Sequence, residues 1–183
     1  MSDQIREWMT EREYFELPEM PHITELMDGE LVMSPAATAR HQRTVMAILK
    51  IFFRHVSHGT VTVAPCDVRL DVERVLQPDI FWVAPESQCR EIDEKYWQGP
   101  PDLVIEVLSP STASRDRGIK YEWYQQYGVR EYWQVDPDAR FVAVYVLRDG
   151  EFKHYGVFEM SDTFESPVLD NLKVDVGELL KTE

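Results

Sequence analysis

Cysteine is almost absent from this chain. Cys66 and Cys89 stand alone, with no CxxC spacing and no paired ligand beside either. That argues against a disulfide framework and against a zinc site, so the chain reads as cytoplasmic with reduced thiols. No apolar run approaches a membrane span, and Met1 to Thr10 lacks the basic and apolar regions of a signal peptide. Internal repeats, low-complexity tracts and long linkers are missing as well. So are a Gly-rich phosphate loop, a GxSxG elbow and an HExxH pair. His22, His41, His55, His58 and His154 are scattered without metal-ligand spacing.

Basic residues are scarce too. Nineteen Lys and Arg face 33 Asp and Glu, for a formal charge of −14, which opposes loose binding to nucleic acid. The imbalance is uneven. Residues 1–30 hold nine acids and two bases, and residues 136–183 hold eleven and five, but residues 31–135 hold thirteen and twelve. Within that middle, Ala36 to Thr60 has no acid and carries Arg40, Arg43, Lys50 and Arg54 with three histidines. Such an island is either a solvated helix face pairing with acids elsewhere or a surface that meets phosphate.

What remains is an ordinary globular composition. At 183 residues with 44% hydrophobic content, the chain is sized for one domain, 1–183, with a proper core. Thr10 to Leu17 reads as a short helix with Thr10 and Glu13 in capping-box spacing. Ile23–Met27 and Glu30–Met33 flank Asp28-Gly29, a strong hairpin signal. Ala39 to Val56 is the longest helical pattern, with Val45, Ile48, Leu49, Phe52, Phe53 and Val56 on one apolar face and Gly59 beyond its end. Strands are expected over Thr60–Val72, Asp79–Ala84 and Leu103–Leu108. A second helix is expected over Ser111–Tyr127, with Ser111, Thr112 and Ser114 able to cap it and Gly128 closing it. Glu131–Val135, Phe141–Leu147 and Phe152–Val157 read as further strands, the last two joined at Arg148-Asp149-Gly150-Glu151. A short helix, Val176–Leu180, is expected to close the chain. The order helix, three strands, helix, strand predicts an α/β protein (α+β, mixed sheet) with helices on the sheet faces.

Two carboxylates need explaining. Glu106 lies in Leu103-Val104-Ile105-Glu106-Val107-Leu108, an unbroken apolar strand of the kind buried on both faces. An ionised carboxylate there costs several kcal/mol, on the order of the burial penalty of an ion, unless a cation or donors compensate. The plainer alternative is a strand-end Glu that reaches solvent or an internal Arg. Asp79, after Pro78, opens the strand Ile80-Phe81-Trp82-Val83; its plainer alternative is a turn-making Asp. Asp102 competes with Asp79, but it stands four residues from Glu106 on one strand, about 13 Å away at the strand rise. A single ion needs oxygens about 2 Å from it, so those two cannot share one. Asp79 and Glu106 lie on separate strands that can be neighbours. Lys120 falls near one helical stripe with Asp116, Trp123 and Tyr127, and an Asp116–Lys120 surface pair would account for it equally well.

The strings Glu25-Leu26-Met27-Asp28-Gly29-Glu30-Leu31-Val32-Met33-Ser34-Pro35, Gln77-Pro78-Asp79-Ile80, Pro101 through Thr112, and Tyr127 through Pro137 resemble the Uma-type restriction endonuclease family. This bacterial family, long known as a domain of unknown function, lies within the PD-(D/E)XK nuclease superfamily. His41 in Arg40-His41-Gln42 fits its pattern too, and the resemblance runs over almost the whole chain. It implies a restriction-endonuclease-like core of helix, three strands, helix, strand, with added N-terminal hairpin and C-terminal strands. Asp79 would fall on the second core strand and Glu106 on the third. The chain departs from the superfamily pattern at the lysine: Leu108 stands two residues after Glu106, and Lys120, from the following helix, is the match. The acid that some members carry on the first core helix is missing from Ala39–Val56; Glu30 or Glu25 on the preceding hairpin would substitute, and His41 is a further candidate for the site.

The resemblance implies metal-dependent hydrolysis of DNA phosphodiesters. Asp79, Glu106 and the Val107 carbonyl would hold Mg²⁺ or Mn²⁺, and Lys120 would orient the attacking water and offset charge on the phosphorane. It also implies a homodimer, for which Trp97, Trp133 and the C-terminal strands offer apolar surface. Two rivals stand beside this reading: a nuclease-like fold without catalysis, serving as a binding or assembly module, and a β-rich structural protein in which Asp79 and Glu106 form internal hydrogen bonds.

Overall fold

The computed structural model describes residues 8–18, 20, 22–110 and 112–181. Helix α1 (Glu11–Phe15) starts at the expected capping box, in which Thr10 and Glu13 satisfy each other's backbone. Strands β1 (Thr24–Met27) and β2 (Glu30–Met33) form the expected hairpin. Asp28 and Gly29 both have positive φ, as a two-residue hairpin turn demands. The long helix α2 (Ala39–His55) is capped by Thr38 and buries His41, Val45, Ile48, Leu49 and Phe52.

The expected strand Thr60–Val72 is two strands in two different sheets. β3 (Thr60–Val63) stops before Ala64-Pro65, and β4 (Asp67–Arg69) follows on another course. Pro65 has no N–H to offer a ladder, so the ladder ends there. Next come β5 (Arg74–Leu76), β6 (Ile80–Val83), β7 (Arg90–Ile92), β8 (Tyr96–Gln98) and β9 (Leu103–Val107). The helix expected over Ser111–Tyr127 is likewise two, α3 (Ala113–Arg117) and α4 (Ile119–Tyr127), broken at Gly118. There a Cβ would stand 2.9 Å from the Ser114 carbonyl oxygen, an approach only glycine permits. No side chain caps α3 from Thr112, whose hydroxyl instead accepts from the Ser109 N–H; Ser111 lies outside the described residues. β10 (Glu131–Asp136), β11 (Phe141–Arg148) and β12 (Glu151–Glu159) agree with expectation, as does the Asp149-Gly150 turn. β13 (Thr163–Ser166) and β14 (Leu172–Asp175) form an unforeseen hairpin before α5 (Val176–Leu179).

The main sheet is six-stranded and mixed, in the order β12-β11-β10-β9-β6-β3, and only β9 and β10 pair in parallel. Its core therefore reads α2, β3, β6, β9, α4, β10 along the chain, which is the predicted helix, three strands, helix, strand. A second six-stranded sheet, β2-β1-β5-β4-β8-β7, is built largely from insertions between those core strands.

Alternation assigns the two faces of the main sheet. Ile80, Trp82, Leu103, Ile105, Val107, Trp133 and Val135 pack against α2 and the C-terminal elements. Phe81, Val83, Val104 and Tyr132 pack against α4 and the second sheet, through Trp123, Tyr124, Met27 and Trp97. Two expectations fail on packing. Phe53, assigned to the inner face of α2, is 74% exposed. Trp97 and Trp133, assigned to a dimer surface, are both buried.

Candidate active site

The site begins where β6 starts and β9 ends. These strands are antiparallel neighbours, and the register Ile80↔Ile105 sets Asp79 beside Glu106. The alternation that sends Ile105 and Val107 toward α2 sends Glu106 toward α4, where it is 3% exposed. One turn of α4 then supplies two partners: Lys120 Nζ donates to Glu106 Oε1 at 3.0 Å, and the Tyr124 hydroxyl donates to the same oxygen at 2.8 Å. Oε2 faces the backbone N–H of Asp79 at 3.4 Å.

Asp79 is fixed by one oxygen. Its Oδ2 accepts from the Val107 N–H at 2.7 Å and lies 3.1 Å from His41 Nε2. No hydrogen bond reaches Oδ1 from the described residues. The second sheet contributes Glu25 from β1, whose Oε1 is 2.9 Å from Lys120 Nζ and accepts from the Gln77 N–H at 2.9 Å. Asp116, at the end of α3, is 3.5 Å from the same ammonium. Arg74 of β5 stacks over Trp123 of α4 and pairs with Asp71 and Asp28, which ties the second sheet to α4.

The electrostatics follow from burial. Desolvation holds the Glu106 carboxyl well above the usual carboxylate range; Lys120 opposes this, while Asp116, Asp79 and Glu25 add to it. Desolvation likewise raises Asp116 and Tyr124. For Lys120, burial alone would favour the neutral amine, but Glu106, Glu25 and Asp116 outweigh it and hold the ammonium. His41 behaves the same way: burial would lower it, and Asp79 together with the Val107 carbonyl raises it.

Glu25, Asp79, Glu106, Asp116, Lys120 and His41 line one cavity of about 270 Å³. Among the described residues that line it, four carboxylates face one permanent cation, Lys120. Asp116 Oδ1 and His41 Nδ1 are buried without hydrogen-bond partners among the described residues. Among the described residues, no group of three or more His, Cys, Asp or Glu side chains is arranged to hold a metal by itself. Two carboxylates, a backbone carbonyl and water are nonetheless a suitable donor set for Mg²⁺, which keeps several waters and prefers hard oxygens. The surplus negative charge and the free Oδ1 of Asp79 fit that ion.

Of the residues singled out from sequence, Asp79, Glu106, Lys120, Val107, Glu25 and His41 come together. Glu30 does not line the cavity; it sits at the turn end of the hairpin, opposite Met27. The Asp116–Lys120 pair is buried rather than on the surface. Asp102 is occupied elsewhere, accepting from the Ala84 N–H at 2.9 Å and from Arg130 at 3.1 Å. Sequence reasoning passed over Tyr124, although it stands one helical turn beyond Lys120.

A mixed sheet with this core order, and a carboxylate-lined cleft over its second and third core strands, defines a restriction-endonuclease-like fold. The chain belongs to the Uma2 family, described as "Putative restriction endonuclease", which it matches over residues 12–177. A crystal structure of "a putative nuclease belonging to DUF820" from Anabaena variabilis superposes with a TM-score of 0.77, covering 94% of this chain and 97% of that one. At 21% identity the likeness is one of fold. Two uncharacterized Synechocystis proteins are similar in sequence. One, slr1290, is 28% identical over 105 residues, 55% of this chain and 53% of its own length. The other, sll1609, is 25% identical over 133 residues, 70% of this chain and 75% of its own. The chain thus spans about half of the first relative and three quarters of the second. None of the described helices is long and apolar enough to cross a membrane.

Proposed function

We propose that the chain is a metal-dependent endonuclease that hydrolyses DNA phosphodiester bonds in this cleft. The observation that carries the reading is the pairing of Asp79 and Glu106 across adjacent strands, in a buried cavity with more negative charge than its lysine can balance. Asp79 and Glu106, with the Val107 carbonyl, would hold Mg²⁺ or Mn²⁺, which supplies positive charge to the scissile phosphate and acidifies a bound water. His41 and the Val107 N–H hold one oxygen of Asp79 and so aim the other into the cleft. Glu106, Glu25 and Asp116 around Lys120 favour its ammonium form. Its part is to donate hydrogen bonds, orienting water and offsetting charge as the phosphorane forms. Tyr124 and Glu25 keep it and Glu106 in place.

Mg²⁺ or Mn²⁺ should raise the melting temperature, because an ion that binds the folded site stabilises it by mass action. Glu106→Gln should abolish that shift, and Lys120→Ala should abolish nicking of supercoiled DNA. A parent protein whose melting temperature ignores both ions would sink the reading. It would favour a catalytically inactive binding or assembly module, which the threefold engagement of Lys120 by carboxylates also accommodates. We extend the proposal to a homodimer. The edge strand β12, with Tyr155 and Val157 exposed, offers one apolar surface for it. A monomeric mass by light scattering at micromolar concentration would remove that extension.

A further inference from the structure

The cleft does not end at Asp79. A groove of about 360 Å³ shares His41, Asp79 and Pro35–Ala37 with it and runs along α2. Its walls are Val45, Met46 and Leu49 on one side and Val63–Pro65 on the other. Gln42, Met46, Leu49 and Phe53 follow one another at steps of three and four residues, so they form one stripe of the helix. The stripe ends in side chains that burial should have claimed: Met46 is 52% exposed and Phe53 is 74% exposed. About a quarter turn around the helix, at its 100° step per residue, Arg43 and Lys50 form a parallel stripe. Both are exposed and have no ion-pair partner among the described residues, whereas Arg40 pairs with Asp138 and Arg54 with Glu178.

Charge decides what suits this groove. In a chain of net charge −14, Leu31 through Cys66 contains no acid, and that stretch builds α2, Pro35–Ala37 and Val63–Pro65. The surface is apolar along the groove, cationic along its flank, and continuous with the carboxylate cleft at its head. A paired duplex presents phosphates, sugars and base edges but keeps its base faces stacked inside, so it offers no ring face for Met46 and Phe53 to pack under. It would meet the cations and leave Met46 and Phe53 idle. An unpaired strand presents both a charged backbone and apolar base faces, which is what stacking platforms beside basic flanks receive. Methionine adds a polarisable thioether that packs well on aromatic rings.

We propose that this groove, with the α2 stripe that continues it, binds the bases of a single DNA strand: Met46 in the groove and Phe53 beyond its end lie under the bases, and Arg43 and Lys50 lie on the phosphates. The substrate is then unpaired DNA, such as a frayed end, a flap or a bubble, rather than a continuous duplex. This rests on reading the adjoining cleft as the hydrolytic site.

Fluorescence anisotropy with fluorescein-labelled oligothymidylate, in EDTA, tests it without any hydrolysis. The parent should bind the single strand more tightly than a blunt duplex of equal length. Met46→Ala with Phe53→Ala should weaken binding by about tenfold with little change in salt slope. Arg43→Ala with Lys50→Ala should flatten the logarithmic salt slope by about 1.4, the single-strand value for two lost phosphates. All four positions are exposed, so folding is not at stake. Glu106→Gln should lose nicking and still bind the strand, which separates the groove from the chemistry: a parent that binds the strand but nicks no DNA counts against the cleft, not against the groove. The proposal is overturned if the duplex binds as tightly as the strand, or if the Met46 and Phe53 changes leave binding intact. It is also overturned if sedimentation shows a parent dimer that those changes split, since the groove is then a contact between copies of this chain.

Discussion

Glu106 and Glu131 sit on neighbouring parallel strands and both are buried, and they are held in opposite ways. Glu131, on β10, faces α2 and the C-terminal elements. Its oxygens accept from Trp133 Nε1 at 2.6 Å and from the Val168 N–H at 3.1 Å, both neutral donors. It ties the C-terminal segment to the sheet and lines neither the carboxylate cleft nor the groove beside it. Glu106 faces the other way, onto a cleft, and is held by a lysine that two further carboxylates share. Desolvation raises the carboxyl pKa of both. Burial of an acid in a strand is therefore no sign of a site by itself. The sign is burial with a charged partner and an opening beside it.

The comparison is broken most severely at Lys120. Lys120→Ala leaves Glu25, Glu106 and Asp116 buried around a missing cation, and loss of one partner from a buried ion pair costs roughly 3–5 kcal/mol. Chemical denaturation at neutral pH should show a loss of that size. The deficit should shrink in acid, where the orphaned carboxylates take up protons. A loss within the range of a surface substitution would mean that Lys120 is not the counter-charge its position suggests.

Next in size is Glu131→Gln. The amide replaces one acceptor oxygen with a donor, so either Trp133 Nε1 or the Val168 N–H loses its partner in a dry site. An unsatisfied buried donor costs about 1–3 kcal/mol, and the loss should appear with or without Mn²⁺. Glu106→Gln should do the reverse: metal-free stability is kept or improved, because one of four crowded negative charges goes, while the response to Mn²⁺ disappears. The pH dependence supplies the sign. The folded state binds the Glu106 proton more tightly than the unfolded chain does. The stability it contributes is thus complete below the ordinary carboxylate range and is lost as pH rises through the elevated folded value. Melting curves across that range should be flatter for Glu106→Gln than for the parent, and Mn²⁺ should flatten the parent's own curve. An unchanged slope in the variant would show that Glu106 is ionised throughout, as an ordinary paired carboxylate is.

Much of this was legible from the residues because it depended on periodicity and on local turns. The hairpin at Asp28-Gly29, helix α2, the apolar strand around Glu106 and the core order were all visible in that way. Adjacency of the strands carrying Asp79 and Glu106 followed from the core order and the family resemblance. The second sheet was not legible. Its strands β4, β5, β7 and β8 are three residues each, too short to show alternation, and their hydrogen bonds come from distant segments. Gly118 and Pro65 divided elements whose hydrophobic patterns ran on across them. Phe53 was assigned inward because its spacing fits either edge of the buried face, and only packing tells which. Within the site, Glu25 could be suspected but not placed, since the second sheet is what delivers it to Lys120. Tyr124 was hidden by ordinariness: a tyrosine on a helix is usually core.

Tyr124 also gives the smallest and finest test of the comparison. Its hydroxyl donates to the same Glu106 oxygen that accepts from Lys120, so Tyr124→Phe removes a neutral donor and leaves the cation in place. Hydrogen bonds to charged groups contribute about 1.5–3 kcal/mol when nothing replaces them, and here the ammonium remains, so a loss nearer 1 kcal/mol is expected. The ring keeps its packing against Tyr132, which confines the change to one oxygen atom. Denaturation of the variant beside Lys120→Ala ranks the two donors on one carboxylate. A ratio strongly in favour of lysine means that Glu106 is held by charge and is ready to exchange that partner for another cation. Equal losses would place Glu106 with Glu131, as a carboxylate held by hydrogen bonds whoever donates them, and the case for an ion at this site would weaken accordingly.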